Sequence, residues 1–186
     1  MYFNFCRIPC TLRLHFFNCR SAVDELINSE VNLEIDPIKV KDHIKDPATA
    51  AEALTLHRQQ LLSVVKQIWQ RIGNSHSYFP ITLQRCFYKI RQYLQHVGKP
   101  DVGDNLISSC IFLRYICPAI LAPSLFGLTE EFPDARANRN LTLVAKTLQT
   151  LANFTKYEGK ENSMEFLNTF IEGETSSMRS FLRQVT

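Results

Sequence analysis

The residue type that most directly suggests chemistry is an arginine in the most apolar stretch of the sequence. Arg114 stands within the run Ile111-Phe112-Leu113-Arg114-Tyr115-Ile116. An arginine among apolar residues can leave water only if its donors find partners elsewhere in the protein. Two interpretations stay open. Arg114 reaches the surface or pairs with a structural carboxylate, or its guanidinium braces a functional loop.

A second candidate is a set of polar residues at helical spacing. Thr142, Lys146, Gln149 and Asn153 follow one another at three- and four-residue intervals, which places them within about 60° on a helical wheel. They form a polar strip beside an apolar face. Such a strip is more often a solvated surface than a binding site, so the spacing alone assigns no function.

Motifs of intrinsic enzyme chemistry are absent from the sequence. It has no G-x-x-x-x-G-K-[ST] phosphate loop, no G-x-S-x-G nucleophile elbow and no H-E-x-x-H metal motif. A Cys/His group near the start matches no standard zinc-finger spacing, and the other histidines have no cysteine or carboxylate at a catalytic spacing. These residues are Cys6, Cys10, His15 and Cys19, and His43, His57, His76 and His96. We expect no metal, no cofactor and no enzymatic activity of its own.

Charge and hydropathy argue against several further classes of protein. The 21 basic and 18 acidic residues are mixed along the chain, so no strong field of one sign favours nucleic acid or a membrane surface. No apolar run reaches the roughly 18 residues that span a bilayer, because Arg114 and Lys146 interrupt the two best candidates. The six cysteines are spread along the chain, and Cys110 and Cys117 lie in apolar runs where cysteine behaves as a small hydrophobe, so we expect reduced thiols in a cytosolic protein. The start of the chain lacks a signal-peptide pattern.

The elements that must position these residues are predicted to be helices. Apolar residues recur at three- and four-residue spacing over residues 51–72 and 83–97, and Gly73 and Gly98 follow these two stretches. Residues 106–116 are apolar nearly all round, which predicts a central buried helix that Pro118 stops. Further stripes start at Leu141 and fill the carboxyl-terminal part. Residues 36–50 are expected to be an exposed connection. The fold class is therefore all-α, an irregular array of helices.

The most specific pattern is a set of sequence blocks in a fixed order. Phe112-Leu113-Arg114 is followed by Pro118-Ala119-Ile120. The run Glu34-Ile35-Asp36-Pro37 lies upstream, and Asn140–Lys146 and Leu148–Phe154 lie downstream. These blocks resemble those of Ras-GTPase-activating proteins (Ras-GAPs), and most closely their synaptic and Dab2-interacting branch. The resemblance covers residues 22–186, which are expected to be the carboxyl-terminal portion of a Ras-GAP domain, with residues 1–21 as a segment outside the family pattern.

The resemblance implies a partner and roles for the candidate residues. Arg114 would steady the loop that carries the family's catalytic arginine finger. Lys146, Gln149 and Asn153, with Thr142 in the same strip, would line the groove that receives Ras. The signature residues are Phe112, Leu113, Pro118 and Ala119. The partner would be a GTP-bound Ras-family GTPase, which itself supplies magnesium and nucleotide, and the function would be negative regulation of Ras signalling. The protein would be cytoplasmic, without direct membrane insertion, and would reach the membrane only through its GTPase partner.

The chain departs from the family pattern in one respect. The finger belongs to a motif resembling F-R-G-N well before the E-I-D-P block, and no such motif precedes Glu34. Arg7, Arg13 and Arg20 do not fit it, so no catalytic residue is assigned. We expect a Ras-GAP-like domain truncated at its amino terminus. A Ras-binding module that lacks the finger, and an unstable fragment with exposed apolar faces, remain alternatives to an active GAP.

Overall fold

The fold comes from a computed structural model that describes residues 20–130 and 132–186, without the side chain of Lys160. Every regular element in these two ranges is helical, so the predicted all-α class is confirmed. The predicted truncation at the amino terminus lies outside the described residues. The helices are α1 Arg20–Asn28, α2 Pro37–His43, α3 Pro47–Gly73, α4 Ile81–His96, α5 Asp101–Ser108, a π-helix Ser109–Ile116, α6 Cys117–Leu121, α7 Ala135–Ala152 and α8 Asn168–Gln184, with 3-10 segments at His76–Tyr78 and Gly159–Leu167.

Two Asp-Pro pairs start helices in the segment that the sequence indicates to be a connection. The Asp36 carboxylate accepts the N–H of Ile38 at 2.9 Å and caps α2, and the Asp46 carboxylate accepts the N–H of Thr49 at 2.8 Å and caps α3. Proline at the first helical position needs no donor partner there, so each pair is a helix start. Residues 36–50 are mostly exposed, as predicted, but the prediction of a connection is wrong because helix α2 and the first turn of α3 lie there.

The core is centred on three aromatic rings from three different helices. The Trp69 ring of α3 lies 6.3 Å from the Phe112 ring and 6.2 Å from the Phe181 ring, and the last two are 6.2 Å apart. Phe112 is fully buried. Tilted and edge-on pairs at such distances add to the stabilisation from burial. α3, the π-helix and α8 are thereby held around one point, and α7 packs against all of them.

Residues 101–121 form a continuous helical stretch in which the hydrogen-bond pattern changes. The π-helix ends where the N–H of Cys117 bonds to the carbonyl of Phe112, five residues back. Pro118 then falls in the first turn of α6, where a missing N–H costs nothing. The prediction that Pro118 stops the central helix is therefore wrong. Because the π-helix ends at Ile116, Pro118 lies in the first turn of a new α-helix, a position that proline tolerates.

The same stretch, Asp101–Leu121, is long and apolar enough to cross a membrane by length and composition alone. The expectation that Arg114 makes this stretch too polar to span a membrane is therefore wrong. Its large side chains Ile107, Phe112 and Ile116 are buried in the protein core. Burial of this kind also produces a long apolar helix, so the composition has an explanation within the fold.

Candidate functional site

α7 presents the predicted polar strip on its exposed side. The Asp134 carboxylate caps the helix by accepting the N–H of Ala137 at 2.6 Å. One side of α7 faces the core, and its residues Leu141, Val144, Leu148 and Leu151 are all fully buried. The opposite side carries the strip, and Thr142, Lys146, Gln149 and Asn153 are all exposed. The structure thus brings these four side chains together on one surface, as the helical spacing predicts.

The members of the strip differ in how much hydrogen-bonding capacity they have left. Thr142 donates its hydroxyl to the carbonyl of Asn138 at 2.7 Å. The Lys146 ammonium is ion-paired with Glu161 in the 3-10 segment Gly159–Leu167, and both side chains are well exposed to solvent. Within residues 20–130 and 132–186, no hydrogen bond joins the side-chain amide of Gln149 or Asn153 to another residue. Each amide therefore offers donors and an acceptor to a partner.

Arg114 lies on the π-helix and is exposed. Its exposure agrees with the interpretation in which Arg114 reaches the surface. Within the described part of the chain, no carboxylate forms an ion pair with it. Its charge lies near Cys110, where burial raises the pKa of the thiol more than Arg114 lowers it. π-Helical turns are rare and occur frequently at functional sites.

The π-helix runs antiparallel beside the segment of α7 that carries the strip. At one end, the Ser108 hydroxyl donates to the carbonyl of Ala152 at 2.6 Å. At the other end, the Cys117 thiol lies 3.6 Å from the carbonyl of Ala145 and donates to it. Burial raises the pKa of Cys117 to about 12, so this thiol stays protonated and inert. The two contacts fix the position of Arg114 along α7, relative to the strip.

A buried carboxylate anchors the first turns of α7. Glu34 is 8% exposed and receives two hydrogen bonds of 2.8 Å from the guanidinium of Arg139. Burial by itself raises the pKa of Glu34, but the hydrogen bonds from Arg139 and from the N–H of Asp36, with the charges of Arg139 and Lys39, outweigh it and hold the pKa below its ordinary value. This bidentate pair joins the extended segment after α1 to the helix that carries the strip.

The neighbouring residue on α7 adds a second anchor to the same segment. The Asn140 side chain is completely buried. It accepts the N–H of Leu33 at 3.0 Å and donates to the carbonyl of Val31 at 2.8 Å. A buried amide that satisfies two backbone groups of an extended segment fixes its position as a strand partner would. α7 is therefore held at its amino-terminal end by Arg139 and Asn140 together.

A sequence family described as "GTPase-activator protein for Ras-like GTPase" matches residues 14–153. The Ras GTPase-activating protein raskol of Drosophila melanogaster is 52% identical over 168 residues, which are 89% of this chain and 10% of that protein. The Disabled homolog 2-interacting protein of Homo sapiens and the Ras GTPase-activating protein gap-2 of Caenorhabditis elegans are each 40% identical over 164 residues, 88% of this chain and 13% of each relative. The chain belongs to the Ras-GAP family.

Family membership confirms the resemblance, including that to the Dab2-interacting proteins. The chain spans only a small part of the length of these Ras-GAP relatives. The matched residues begin at Leu14, whereas the resemblance predicts a domain boundary at Ala22. Residues 14–19 are outside the described part of the structure. The boundary therefore stays a prediction.

The Ras-GAP signature residues divide between core and surface. Phe112 and Ala119 are buried, Leu113 and Pro118 are half-buried, and Arg114 is exposed. The signature thus contains packing residues around one exposed charge. The roles that the resemblance implies for Arg114 and for the strip stay predictions. The described residues contain no group of three or more metal-ligating side chains. The zinc pattern considered at Cys6, Cys10, His15 and Cys19 lies outside them.

Sequence reasoning missed the residues that hold the strip in place. Glu34 stands in the recognised E-I-D-P block, but nothing in that block names Arg139, 105 positions away, as its partner. Ser108 carries no signal at all, because a serine before an apolar run does not show where its hydroxyl points. A possible signal was Asn140, an amide on the apolar side of α7, since a buried amide requires partners.

Proposed function

We propose that this chain docks on a GTP-bound Ras-family GTPase through the exposed face of α7 formed by Thr142, Lys146, Gln149 and Asn153. In the intact protein, this docking serves the stimulation of GTP hydrolysis and thereby negative regulation of Ras signalling. The observation that carries the proposal is that these four side chains form one exposed face on a helix anchored at both ends. Its membership of the Ras-GAP family supports the choice of partner.

The chemistry of the face suits a polar partner surface. The Lys146 ammonium is the one charge in the strip, and its pairing with exposed Glu161 is a surface ion pair, which contributes little stability and rearranges easily. A carboxylate of the GTPase can join or replace Glu161. The amides of Gln149 and Asn153 then pair with backbone or side-chain groups of the partner, and such pairs give specificity more than affinity.

Arg114 is proposed as a positioning residue. Its guanidinium has five N–H donors in a planar fork, and it stands exposed on the π-helix beside α7. In the intact protein, these donors brace the loop that carries the arginine finger, whose charge stabilises the transferred phosphoryl group. The printed sequence contains no F-R-G-N motif. We therefore propose that the 186-residue chain alone binds the GTPase but accelerates hydrolysis little.

The test combines a binding titration with single-turnover GTP hydrolysis on one Ras-family GTPase. Lys146→Ala removes the one charge of the strip and should weaken binding of the GTPase about ten-fold. A ten-fold change corresponds to about 1.4 kcal/mol of binding free energy. Lys156→Ala is the matched control, because Lys156 is equally exposed and ion-paired with Glu172 but lies outside the strip. Equal losses in both variants would contradict the assignment of the face.

The hydrolysis arm distinguishes the remaining possibilities. Binding without acceleration supports a docking chain that needs its finger from elsewhere. Acceleration would show that an arginine of this chain serves as the finger. Absence of binding by a folded chain, judged from its helical circular dichroism, would refute the proposed function. An aggregated chain would favour the unstable fragment.

A further inference from the structure

The carboxyl-terminal end of α7 is closed by a residue from another helix. The last four carbonyls of a helix have no partner within it. Here the carbonyls of Gln149, Thr150 and Leu151 accept the N–H groups of Asn153, Thr155 and Phe154 at 3.0, 3.2 and 3.1 Å. The fourth, that of Ala152, accepts the Ser108 hydroxyl of α5 at 2.6 Å.

The residue after Asn153 has an unusual backbone conformation. Phe154 has φ of 55°, and it is the one non-glycine residue with positive φ in the described part of the chain. An aromatic side chain in this left-handed region is strained, and such strain persists only where the surroundings hold it. Asn153 is thus placed between the closed helix end and a strained residue.

A second tie holds the strained residue to the same face of α5. The Arg179 guanidinium of α8 lies over the Phe154 ring, 4.4 Å from its centroid. Nη1 of the same guanidinium donates to the Asp104 carboxylate at 2.9 Å. Asp104 and Ser108 are four residues apart on α5 and therefore share one face. This face reaches residues 152 and 154 by two independent routes.

We propose that Ser108 and Arg179 are positioning residues of the docking face, which set where Gln149 and Asn153 present their amides to the GTPase. This inference rests on the proposed function. Ser108 immediately precedes the π-helix that carries Arg114. One hydroxyl therefore joins the start of the π-helix to the end of the strip, and it couples the two parts of the site. Ser108 is fully buried, so it acts through these contacts and not by touching the partner.

The test uses isosteric removal of one hydroxyl, with a matched control. Ser108→Ala removes the tie between α5 and α7. Thr147→Val removes another fully buried hydroxyl, which donates to the carbonyl of Leu143 within α7 at 2.9 Å and accepts the Tyr157 hydroxyl at 3.5 Å, but makes no bond to α5. With a Ras-family GTPase loaded with a non-hydrolysable GTP analogue, we expect about five-fold weaker binding for Ser108→Ala, or ~1 kcal/mol, and unchanged binding for Thr147→Val.

Amide hydrogen exchange gives a readout that needs no GTPase. In Ser108→Ala, the amides of Asn153, Phe154 and Thr155 should exchange faster, because the Ala152 carbonyl beside them has lost its hydrogen bond from Ser108. The amides of α3 should keep their wild-type rates. In Thr147→Val, the three amides should be unchanged. Faster exchange spread over the whole chain would show a merely structural role and overturn the proposal.

A second pair of variants covers the case in which Ser108→Ala does not fold. Arg179→Ala removes the exposed guanidinium that ties Phe154 to Asp104, and Arg183→Ala removes an equally exposed arginine one turn further on α8. We expect about three-fold weaker binding for the first variant only. If wild type binds the GTPase and the Ser108→Ala and Arg179→Ala variants bind it as tightly as wild type, this inference alone fails. If wild type itself does not bind, the proposed function fails and this inference with it.

Discussion

Replacing Glu34 by glutamine tests whether a single buried carboxylate holds the docking helix in place. The change keeps the size of the side chain but turns a donor toward the guanidinium of Arg139, so at least one of two hydrogen bonds of 2.8 Å is lost. The N–H groups of Ile35 and Asp36 both donate to Oε1, at 3.1 and 3.0 Å, so they keep their acceptor only if the amide oxygen takes that place and the amide nitrogen faces Nε of Arg139. The substitution therefore leaves a buried cluster only partly satisfied.

The magnitude follows from the type and exposure of these bonds. A hydrogen bond to a charged group contributes about 1.5–3 kcal/mol. Because the Arg139 side chain is 36% exposed, water can replace part of what it loses. We expect Glu34→Gln to lower the free energy of unfolding by about 2 kcal/mol. For a chain of this length, that corresponds to a fall of about 4–8 °C in Tm.

The assay is thermal and urea unfolding followed by far-ultraviolet circular dichroism at neutral pH. Glu30→Gln is the matched control, because Glu30 is exposed and lies only a few residues away on the same segment. We expect Glu30→Gln to behave like wild type. If the two variants unfold at the same midpoint, the Glu34–Arg139 pair does not anchor α7 and the reasoning from its burial is refuted.

Further predictions concern pH, packing and thiol reactivity. Because the folded-state pKa of Glu34 is lowered, its carboxylate stabilises the fold above the unfolded-state pKa, and this contribution is lost as pH falls through the folded-state pKa. The gap in unfolding midpoint between wild type and Glu34→Gln should therefore narrow below the ordinary value of 4.5, and a constant gap would contradict it. Phe112→Ala opens a cavity among the three core rings and should lower the free energy of unfolding by about 3–5 kcal/mol in urea unfolding. A loss of about 0.5 kcal/mol or less, as for a surface change, would mean that the ring is not packed. In native protein, a thiol reagent followed by peptide mapping should modify exposed Cys86 and leave Cys117 untouched until unfolding. Equal labelling would contradict the burial of Cys117.

Some features followed from the sequence because they depend on local periodicity. The spacing of Thr142, Lys146, Gln149 and Asn153 places them on one side of any regular helix, and the apolar residues between them determine which side is buried. The order of the F-L-R and P-A-I blocks indicated the family. The polar face does not depend on the rest of the chain, since residues three and four positions apart are neighbours in any α-helix.

Other features depended on local signals that permit two structures. Asp36-Pro37 and Asp46-Pro47 are compatible with a loop as well as with a capped helix start, and the observed helices α2 and α3 use the second option. Pro118 is compatible with a helix end as well as with a first helical turn. The π-helix before it has no periodic signature that distinguishes it from an α-helix over eight residues.

Only the tertiary structure decided which distant groups meet. Glu34 meets Arg139 across 105 positions and Ser108 meets the carbonyl of Ala152 across 44. Such pairs form because packing of the helices buries at least one member of each pair, and a buried polar group without a hydrogen bond is costly. The sequence by itself therefore determined that α7 has a polar face. Its position, fixed by anchors at both ends, was decided by contacts that no local pattern encodes.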